Sequence, residues 1–545
     1  MLAPIIFVNQ AEFDFSTAFF EDDSKFKLNS GTSTMKQKAF FFETLKSIGK
    51  IRSFSIRDTE ANGDMAKTLL KENTFVASFH EPPPNLPCRL LQHTKGGLML
   101  PGGFLNGWTF RKGTINLVQT TRQKHQLENA FSKSDIAVGV FGQRLSTHFF
   151  QLPNAEQSLT PYSASSLTGP RLVYAGRIIP NKGISQLVRC LNIWPISGAK
   201  LTIIGDYEPD FPISQSGGYC AGFERWFERE VIKRNQTVSL HFEPPLPQAS
   251  LVKHFWASDI FLYPSFHEDE SLGNAAHEAV LSGIPAIVTD WCGLGHLGRN
   301  TRGGALPTYA TLGGVRYSLL ALSKRISSLA LKINCSEKKI ALADSDWVKA
   351  TFDSHRMKAS LERSISDLLQ RKPEEAPKGG WRCPSRLTRL ANNGPAKVRE
   401  ALSYASTSDP EGLYVDGSGY QQDDYSEARF LTAIQSFYTT WASPPRLKIG
   451  VELHGFWRIG LLDYERAIIE FGFPGPRLLR FTETEWQAVC SSVQIFALGE
   501  IHFKIRDETS IKVLQRAVDL GYLVPNDLNT CDLPPPNDTL PKDWV

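Results

Sequence analysis

Two basic side chains stand where an apolar, β-branched run of the sequence ends. In RLVYAGRIIPNKG (171–183), Arg177 follows Gly176 directly, and Lys182 comes five residues later, just before a helical stretch. Two cations at the carboxyl end of a parallel strand, beside the free N–H groups of a helix start, suit a diphosphate. A planar guanidinium can bind two phosphate oxygens, while the lysine ammonium adds a mobile charge. Taken alone, the segment fits two solvated loop charges equally well.

Two carboxylates follow in SFHEDESLGNAAHEAVLSGIPAIVTD (265–290), where seven residues separate Glu270 from Glu278. Glu270 lies in the loop after an apolar strand, where its carboxylate can accept hydrogen bonds from sugar hydroxyls. Gly273 lets the backbone pass close to a ligand, and Asn274 opens a helix whose first N–H groups can meet a phosphate. Glu278 lies about one turn further along, where it can reach a ribose diol. Alone, the pair also fits a turn residue and a surface carboxylate.

The elements that must position these side chains alternate between short strands and helices. Apolar runs predict strands at RLVYAGR (171–177), KLTIIGD (200–206), VSLHF (238–242), DIFLYPS (259–265) and IPAIVTD (284–290). Helical stretches separate these runs, which is the pattern of βαβ units around a parallel sheet. The sequence therefore predicts a doubly wound α/β domain with its functional loops at the ends of the strands.

Two changes in composition divide the chain into three predicted domains. Residues 1–165 are predicted to form an N-terminal Rossmann-like domain. A linker rich in Ser, Thr, Pro and Gly (154–170) leads into a second Rossmann-like domain, 166–370. Residues 371–545 follow a second break at 371–385 and are predicted to be an accessory α/β or α+β domain. Their many aromatic side chains are expected in a core rather than on a carbohydrate-binding surface.

The bulk composition limits the classes of function. The chain has 545 residues and a formal net charge of +4, so it lacks the long-range field that binding bare nucleic acid needs. The eight cysteines are scattered, with no C-x-x-C pair and no histidine at ligand spacing. This favours reduced thiols, a cytoplasmic location and no metal site. The N-terminus does not resemble a signal peptide, and no apolar run approaches the ~20 residues of a membrane helix, which leaves only peripheral membrane contact open.

The combination of motifs resembles the retaining GT-B glycosyltransferases of family four, the glycogen synthase-like group. The resemblance is strong over about 170–300 and weaker over 346–369, which looks like the family's closing helices crossing back to the N-terminal domain. The matching positions are Gly176, Arg177, Lys182, Gly183, Leu201 to Asp206, Ala257 to Ser265, Glu270 to Gly273, His277 to Ala279, Gly283 to Pro285, Thr289 and Asp290. The family implies two Rossmann-like doubly wound domains, with the acceptor on the N-terminal side and the nucleotide sugar on the other.

The resemblance also implies roles for some of the matching positions. Arg177 and Lys182 are expected to neutralise the donor diphosphate, Glu270 to hold the transferred sugar, and Glu278 to bind the ribose. His80, at the end of the apolar run VASFH, is a further catalytic position by a looser match, although a lone histidine at a strand end is often structural. The other positions expected against the donor are Gly176, Gly205, Ser271, Leu272, Gly273 and Asn274.

The chain departs from the family pattern in three places. Leu272 replaces an aromatic residue before Gly273, and Trp291 with Cys292 stands where the family carries a pair of glycines. The insert YEPDFPISQSGGYCAG (207–222) follows the second predicted strand. These changes leave the phosphate chemistry intact and leave the sugar and the acceptor undetermined.

The predicted function is sugar transfer from a nucleotide diphosphate donor to a carbohydrate, lipid-linked or other hydroxyl acceptor. The family resemblance implies retention of anomeric configuration without a metal or another cofactor. Three alternatives stay open: a nucleotide-sugar epimerase, a glycan phosphorylase, and a catalytically silent scaffold that binds a protein partner through 371–545. The phosphorylase needs a pyridoxal lysine that the sequence does not place. A scaffold has no need of Arg177, Lys182, Glu270 and Glu278 in one pocket.

Overall fold

The computed structural model describes part of the chain, and the fold is built from those residues. They are 5–9, 51–55, 75–79, 97–100, 109–110, 114–121, 137–141, 147–150, 169–193, 198–207, 227–233, 238–266, 270, 272–311, 314–335, 339–370, 381–382, 450–453, 456–462, 465–471, 477–495, 501–519 and 522–525, with the single positions 44, 47, 124, 145, 224 and 235.

The first sheet lies in the N-terminal part of the chain and is parallel. The strands described there are β1 (Ile5–Asn9), β2 (Ile51–Ser55), β3 (Phe75–Phe79), β4 (Gly97–Leu100), β5 (Thr109–Phe110), β6 (Thr114–Val118) and β7 (Ala137–Val140). All except β5 form one sheet in the order β2-β1-β3-β4-β6-β7, in which every pair runs parallel. Strand β5 pairs antiparallel with β16 (Trp381–Arg382). Near-continuous apolar runs such as IIFVN are typical of strands covered on both faces.

The second sheet is also parallel. Its strands are β8 (Arg171–Ala175), β9 (Lys200–Ile204), β10 (Ser239–Glu243), β11 (Ile260–Tyr263), β12 (Ala286–Thr289) and β13 (Ala305–Leu306). Their order is β10-β9-β8-β11-β12-β13. The chain builds outward from β8 to β10, then returns and builds from β11 to β13 on the other side. The connections from β8 and β11 therefore leave in opposite directions, which opens a crevice at their carboxyl ends.

The helices lie mainly between and after these strands. They are α1 (Ile184–Ile193), α2 (Gln248–Trp256), α3 (Asn274–Leu281), α4 (Cys292–Asn300), α5 (Leu319–Cys335), α6 (Lys339–Thr351), α7 (Ser354–Gln370), α8 (Glu483–Ser492) and α9 (Glu508–Asp519). Short elements are the 3-10 helices Thr147–Phe150 and Pro180–Lys182, the π-helix Phe227–Ile232, and the antiparallel pair β14 (Tyr309–Thr311) and β15 (Gly314–Arg316).

The core of the second sheet is built from its central strands. Every residue of β11 and β12 is buried, as are all residues of β8 after Arg171. An ion pair fastens the amino ends of β8 and β11, because Arg171 Nη2 lies 2.6 Å from Asp259 Oδ1. The Arg171 N–H also donates to Asp259 Oδ2 at 2.8 Å, and the Asp259 N–H donates to the Arg171 carbonyl oxygen at 2.8 Å. Side chain and backbone therefore fix the register of the two strands together.

Helix α7 covers the first sheet rather than the second. It packs against β7 and β6. The Ser360 hydroxyl donates to the Val140 carbonyl oxygen at 2.7 Å across 220 positions of sequence. The described elements fall into two compact units, of which one holds β1–β7, β16 and α7, and the other holds β8–β15, α1–α5 and the C-terminal elements. The predicted domain boundaries at 165 and 370 stay predictions.

The C-terminal elements are antiparallel strands and two helices. The strands are β17 (Gly450–Leu453), β18 (Phe456–Leu462), β19 (Glu465–Phe471), β20 (Arg477–Arg480), β21 (Val493–Ile495), β22 (Ile501–Lys504) and β23 (Leu523–Pro525). They form the sheets β21-β22-β17-β23 and β18-β19-β20. Thr482 and Glu485 cap α8 by exchanging backbone and side-chain hydrogen bonds. Phe481, Phe503 and Tyr522 lie in the core beneath the helices, and Trp486 packs against it.

These sheets confirm the predicted α/β class with two doubly wound parallel sheets. The C-terminal elements are of the α+β type, one of the two predicted options. Within the described ranges, no helix combines the length and the apolar character needed to cross a bilayer.

Candidate active site

The charged side chains of the two motifs meet at the carboxyl edge of the second sheet, where β8 and β11 are neighbours. Arg177 follows the end of β8 by two residues, and Glu270 lies between β11 and α3. The strand order reverses between β8 and β11, and open parallel sheets bind their ligands at such a boundary. The topology therefore places the site where both motifs converge.

Gly176 and Gly205 allow the loops after β8 and β9 to approach each other. Gly176 has a φ of +155°, and a Cβ there would lie 3.2 Å from both the Tyr174 hydroxyl and the Tyr263 ring. A Cβ on Gly205 would lie 2.0 Å from the Gly176 carbonyl oxygen. The Tyr174 hydroxyl donates to the Arg177 carbonyl oxygen at 2.6 Å, which fixes the backbone that carries the guanidinium.

Lys182 is buried at the end of the 3-10 helix Pro180–Lys182. Gly183 follows with a φ of +77°, and a Cβ there would lie 2.1 Å from the Pro264 carbonyl oxygen. This close approach presses the segment against the end of β11. The Lys182 ammonium lies 5.5 Å from the centroid of the Tyr263 ring, a cation–π distance.

Glu270 accepts several hydrogen bonds at the centre of the site. Its Oε2 forms a buried ion pair with Lys182 Nζ, in which the two side chains are 9% and 8% exposed. The Ser265 hydroxyl donates to the same oxygen at 2.8 Å, and the Tyr263 hydroxyl is hydrogen-bonded to the carboxylate. The Thr289 hydroxyl in turn donates to the Ser265 carbonyl oxygen. Three donors therefore hold one carboxylate at the boundary between β8 and β11.

Helix α3 begins at the site with an N-terminus that no side chain caps among the described residues. Gly273 precedes it with a φ of +74°, and a Cβ there would lie 2.2 Å from Leu294 Cδ2. Leu272 is buried, so only its backbone can face a ligand. Asn274 and Glu278 are partly exposed on the first and second turns. The free N–H groups and the helix dipole thus suit an anion.

His277 is fully buried within α3. Its Nδ1–H donates to the Gly273 carbonyl oxygen at 3.3 Å. The pKa of His277 is lowered to about 3, mainly by burial and to a smaller extent by the nearby His296, while the hydrogen bond to Gly273 opposes the shift. The imidazole is therefore neutral at physiological pH and adds no positive charge to the site.

The buried phenol of Tyr263 shows that the charges of both motifs converge. Burial raises the pKa of Tyr263 well above its ordinary value, and the carboxylates of Glu270 and Glu278 act in the same direction. The guanidinium of Arg177 opposes them. The pKa of Tyr263 is thus affected by Arg177, Glu270 and Glu278, and its ring lies beside the Lys182 ammonium. Charged groups of both motifs therefore lie within electrostatic range of one buried tyrosine at the carboxyl edge of the sheet.

The structure brings together most of the residues that the motifs single out. Arg177, Lys182, Glu270 and Glu278 belong to the group around Tyr263. Their individual roles stay predictions. His80 and Ser271 lie outside the described residues.

Sequence reasoning missed several residues that build the site. Tyr174 and Tyr263 are apolar-strand residues whose hydroxyls look like core features in the sequence. Ser265 carried one usable signal, because it follows the strand directly and precedes Glu270 by five residues in the same loop. Asn181 precedes Lys182, and nothing in the surrounding sequence marks it as a site residue.

The family comparison covers the same region. Residues 161–306 match the model of the family described as glycosyl transferases group 1. This segment, roughly a quarter of the chain, contains β8–β13 and the whole group around Tyr263. The match supports a glycosyltransferase that uses a nucleotide sugar, as predicted. Retention and membership of family four go beyond it. No curated protein matches the chain by sequence.

Similar solved structures include three from bacteria. Sucrose-phosphate synthase from Thermosynechococcus elongatus has 13% identity and a TM-score of 0.46, and the match covers 67% of this chain and 99% of that one. A glycosyltransferase from Rickettsia africae has 14% identity and a TM-score of 0.44, over 68% and 100%. Anabaena HepE, solved with UDP and glucose, has 12% identity and a TM-score of 0.43, over 67% and 100%. Because these TM-scores are low, the fold class is assigned from the two parallel sheets of this chain and not from the matches.

Proposed function

We propose that the protein is a retaining, metal-independent glycosyltransferase that moves a sugar from a nucleotide diphosphate donor to a hydroxyl acceptor. The observation that supports this is the convergence of Arg177, Lys182, Glu270 and Glu278 around Tyr263, beside the uncapped start of α3. All of these groups lie at the strand-order reversal of a parallel sheet. The family match over 161–306 agrees with the proposal.

The cations act on the leaving group. As the bond between the anomeric carbon and the phosphate oxygen breaks, negative charge grows on the β-phosphate. Arg177, Lys182 and the first N–H groups of α3 stabilise that charge without any change in their own protonation. Arg177 offers a planar fork for two oxygens, and Lys182 offers a point charge from a buried position.

Lys182 must exchange partners for this to happen. In the structure its ammonium is paired with Glu270. A diphosphate carries more charge than a carboxylate and competes for the same ammonium. The exchange leaves Glu270 held by the hydroxyls of Ser265 and Tyr263, with acceptor capacity for sugar hydroxyls. Glu278, one turn along α3, is assigned to the ribose diol.

Retention follows from attack on the same face as the departing phosphate. Glu270 and Glu278 both have binding roles, so neither is available as a covalent nucleophile. The acceptor hydroxyl then loses its proton to the leaving phosphate oxygen. The bond to the new oxygen forms on the face where the old one breaks.

The test is a panel of UDP-, GDP- and ADP-sugars with carbohydrate and lipid-linked acceptors. Transfer with release of the nucleoside diphosphate supports the proposal, and proton NMR of the first product reports its anomeric configuration. Activity that persists in excess EDTA supports metal independence. A product epimerised on the nucleotide identifies an epimerase instead. Failure of every donor to bind or react favours the scaffold.

The setting of the reaction is proposed from the sequence. The chain acts in the cytoplasm, with peripheral membrane contact if its acceptor is lipid-linked. Fractionation of cells that express the tagged protein tests this. Recovery in a secreted fraction contradicts it.

A further inference from the structure

Asn181 is a buried polar residue inside the site. It stands between Pro180 and Lys182 in the 3-10 helix, and the residue is 2% exposed. Its backbone carbonyl oxygen accepts hydrogen bonds from the Phe266 N–H at 2.9 Å and from the Ser265 hydroxyl at 3.3 Å. The backbone of Asn181 is therefore fastened to the loop that leads to Glu270.

The carboxamide of Asn181, unlike its backbone, forms no hydrogen bond with the described residues. Neither Oδ1 nor Nδ2 has a hydrogen-bond partner among the described residues, and both atoms are buried. A buried amide without partners is costly, because it has lost its hydrogen bonds to water and gained none in return. Native proteins keep such groups where a ligand or a water completes them. An apolar side chain of similar size avoids this cost.

We propose that Asn181 is a specificity residue whose carboxamide binds hydroxyl groups of the donor sugar. The inference rests on the proposed function and names a contact within that site. Both the donor and the acceptor half of the amide lack partners, so the complementary ligand group must accept and donate as well. A sugar hydroxyl does both, whereas a phosphate oxygen only accepts.

Access to the carboxamide is coupled to the ion pair beside it. Lys182 follows Asn181 directly, and its ammonium is paired with Glu270. In this proposal, a diphosphate draws the Lys182 side chain away from Glu270, and a sugar hydroxyl takes the space that opens beside the carboxamide. The backbone of Asn181 stays fastened to the loop by its two hydrogen bonds.

The first arm of the test measures stability without a ligand. Asn181→Leu removes the unsatisfied amide and keeps its approximate volume, so the melting temperature should rise. Asn300→Leu is the matched control, because the Asn300 amide donates to the His296 carbonyl oxygen at 2.7 Å and its loss should lower the melting temperature. A fall for Asn181→Leu as large as that of the control overturns the proposal.

The second arm measures binding by calorimetry with three pairs of ligands: UDP and UDP-glucose, GDP and GDP-mannose, and ADP and ADP-glucose. Asn181→Leu should keep the wild-type affinity for the nucleoside diphosphate. Its affinity for the nucleotide sugar should fall roughly tenfold, the loss expected for one or two neutral hydrogen bonds. Equal weakening of both ligands, or of neither, overturns the proposal. If Asn181→Leu does not fold, Asn181→Ala carries this arm.

The two proposals fail in different ways. A wild-type protein that binds none of these nucleotides or nucleotide sugars overturns the proposed function together with this inference. A wild-type protein that transfers sugar, while the Asn181 variants bind UDP-glucose as it does, overturns the inference alone.

Discussion

The two ends of the β8–β11 pair each carry an ion pair between residues 88 positions apart, and the two pairs are built differently. At the amino end, Arg171 grips Asp259 with two guanidinium contacts and two backbone hydrogen bonds. At the carboxyl end, Lys182 meets Glu270 through one point charge, and the preceding residue, Asn181, has a buried carboxamide without a hydrogen-bond partner among the described residues. The first arrangement fastens strands, and in the proposed mechanism the second is exchanged for a ligand.

The largest expected difference between the two ends is in stability. Glu270→Ala leaves the Lys182 ammonium buried without its carboxylate and should lower the free energy of unfolding by about 3–5 kcal/mol. Asp259→Ala should cost less, because the Arg171 side chain is 30% exposed and water can solvate its charge. Urea titration of each variant measures both costs. Equal costs would contradict the distinction between the two ends.

The next difference is in catalysis. Lys182→Ala and Arg177→Ala should each lower kcat on the order of a hundredfold, the loss reported for a group that stabilises charge in the transition state. Arg302→Ala is the matched control, because this arginine is exposed and outside the site. Initial rates at saturating donor make the measurement. Near-wild-type rates in both site variants would remove the assignment of the cations.

The carboxyl end should also be the more sensitive to acid. The pKa of His277 is about 3 in the folded chain and near 6.5 when unfolded, so the unfolded chain binds the extra proton between these values. Stability is therefore present above the unfolded pKa and is lost as the pH falls towards 3. From pH 7 to pH 5 the loss should be about 2 kcal/mol.

His277→Gln isolates this contribution in urea titrations at the two pH values. The variant should lose less stability on acidification than the wild type does. Ser282→Ala, which changes the C-terminal end of α3 without removing a titratable group, is the control and should keep the wild-type pH dependence. An unchanged pH dependence in His277→Gln would show that other groups carry the effect.

The smallest expected effect concerns the hydroxyls that hold Glu270. Tyr263→Phe and Ser265→Ala should each lower kcat roughly tenfold, since each removes one hydrogen bond to a charged group. The double variant should lose less than the product of the two, because both act through one carboxylate. Ser258→Ala, which removes a hydroxyl bonded to the His254 carbonyl oxygen, is the control. Fully additive losses would place Tyr263 and Ser265 in separate roles.

The sequence predicted strands β8–β12 of the second sheet, because each is an apolar run and most end beside Gly, Pro, Ser or Asp; it did not predict the two-residue β13. It also put Arg177 and Glu270 at strand ends. It did not reveal that β8 and β11 are neighbours, since an apolar run carries no information about which strand it pairs with. The convergence of the two motifs came from that pairing.

The residues that the sequence did not predict share a physical cause. Tyr263 and Asn181 matter because of what surrounds their polar atoms, and hydrogen-bond satisfaction is a property of the folded chain. A tyrosine in a buried strand has no pattern that separates it from a core residue. Gly205 was expected against the donor, and the structure shows in addition the close backbone contact that requires a glycine there.

Helix α7 has a practical consequence for anyone who shortens the protein. Its residues follow the second sheet in sequence, yet it packs on β6 and β7 of the first. Cutting the gene before Ser354 would remove the helix that covers β6 and β7 and expose the residues beneath it, whereas the second sheet would keep all of its strands. An expression fragment meant to isolate the N-terminal half must therefore carry 354–370 as a second piece.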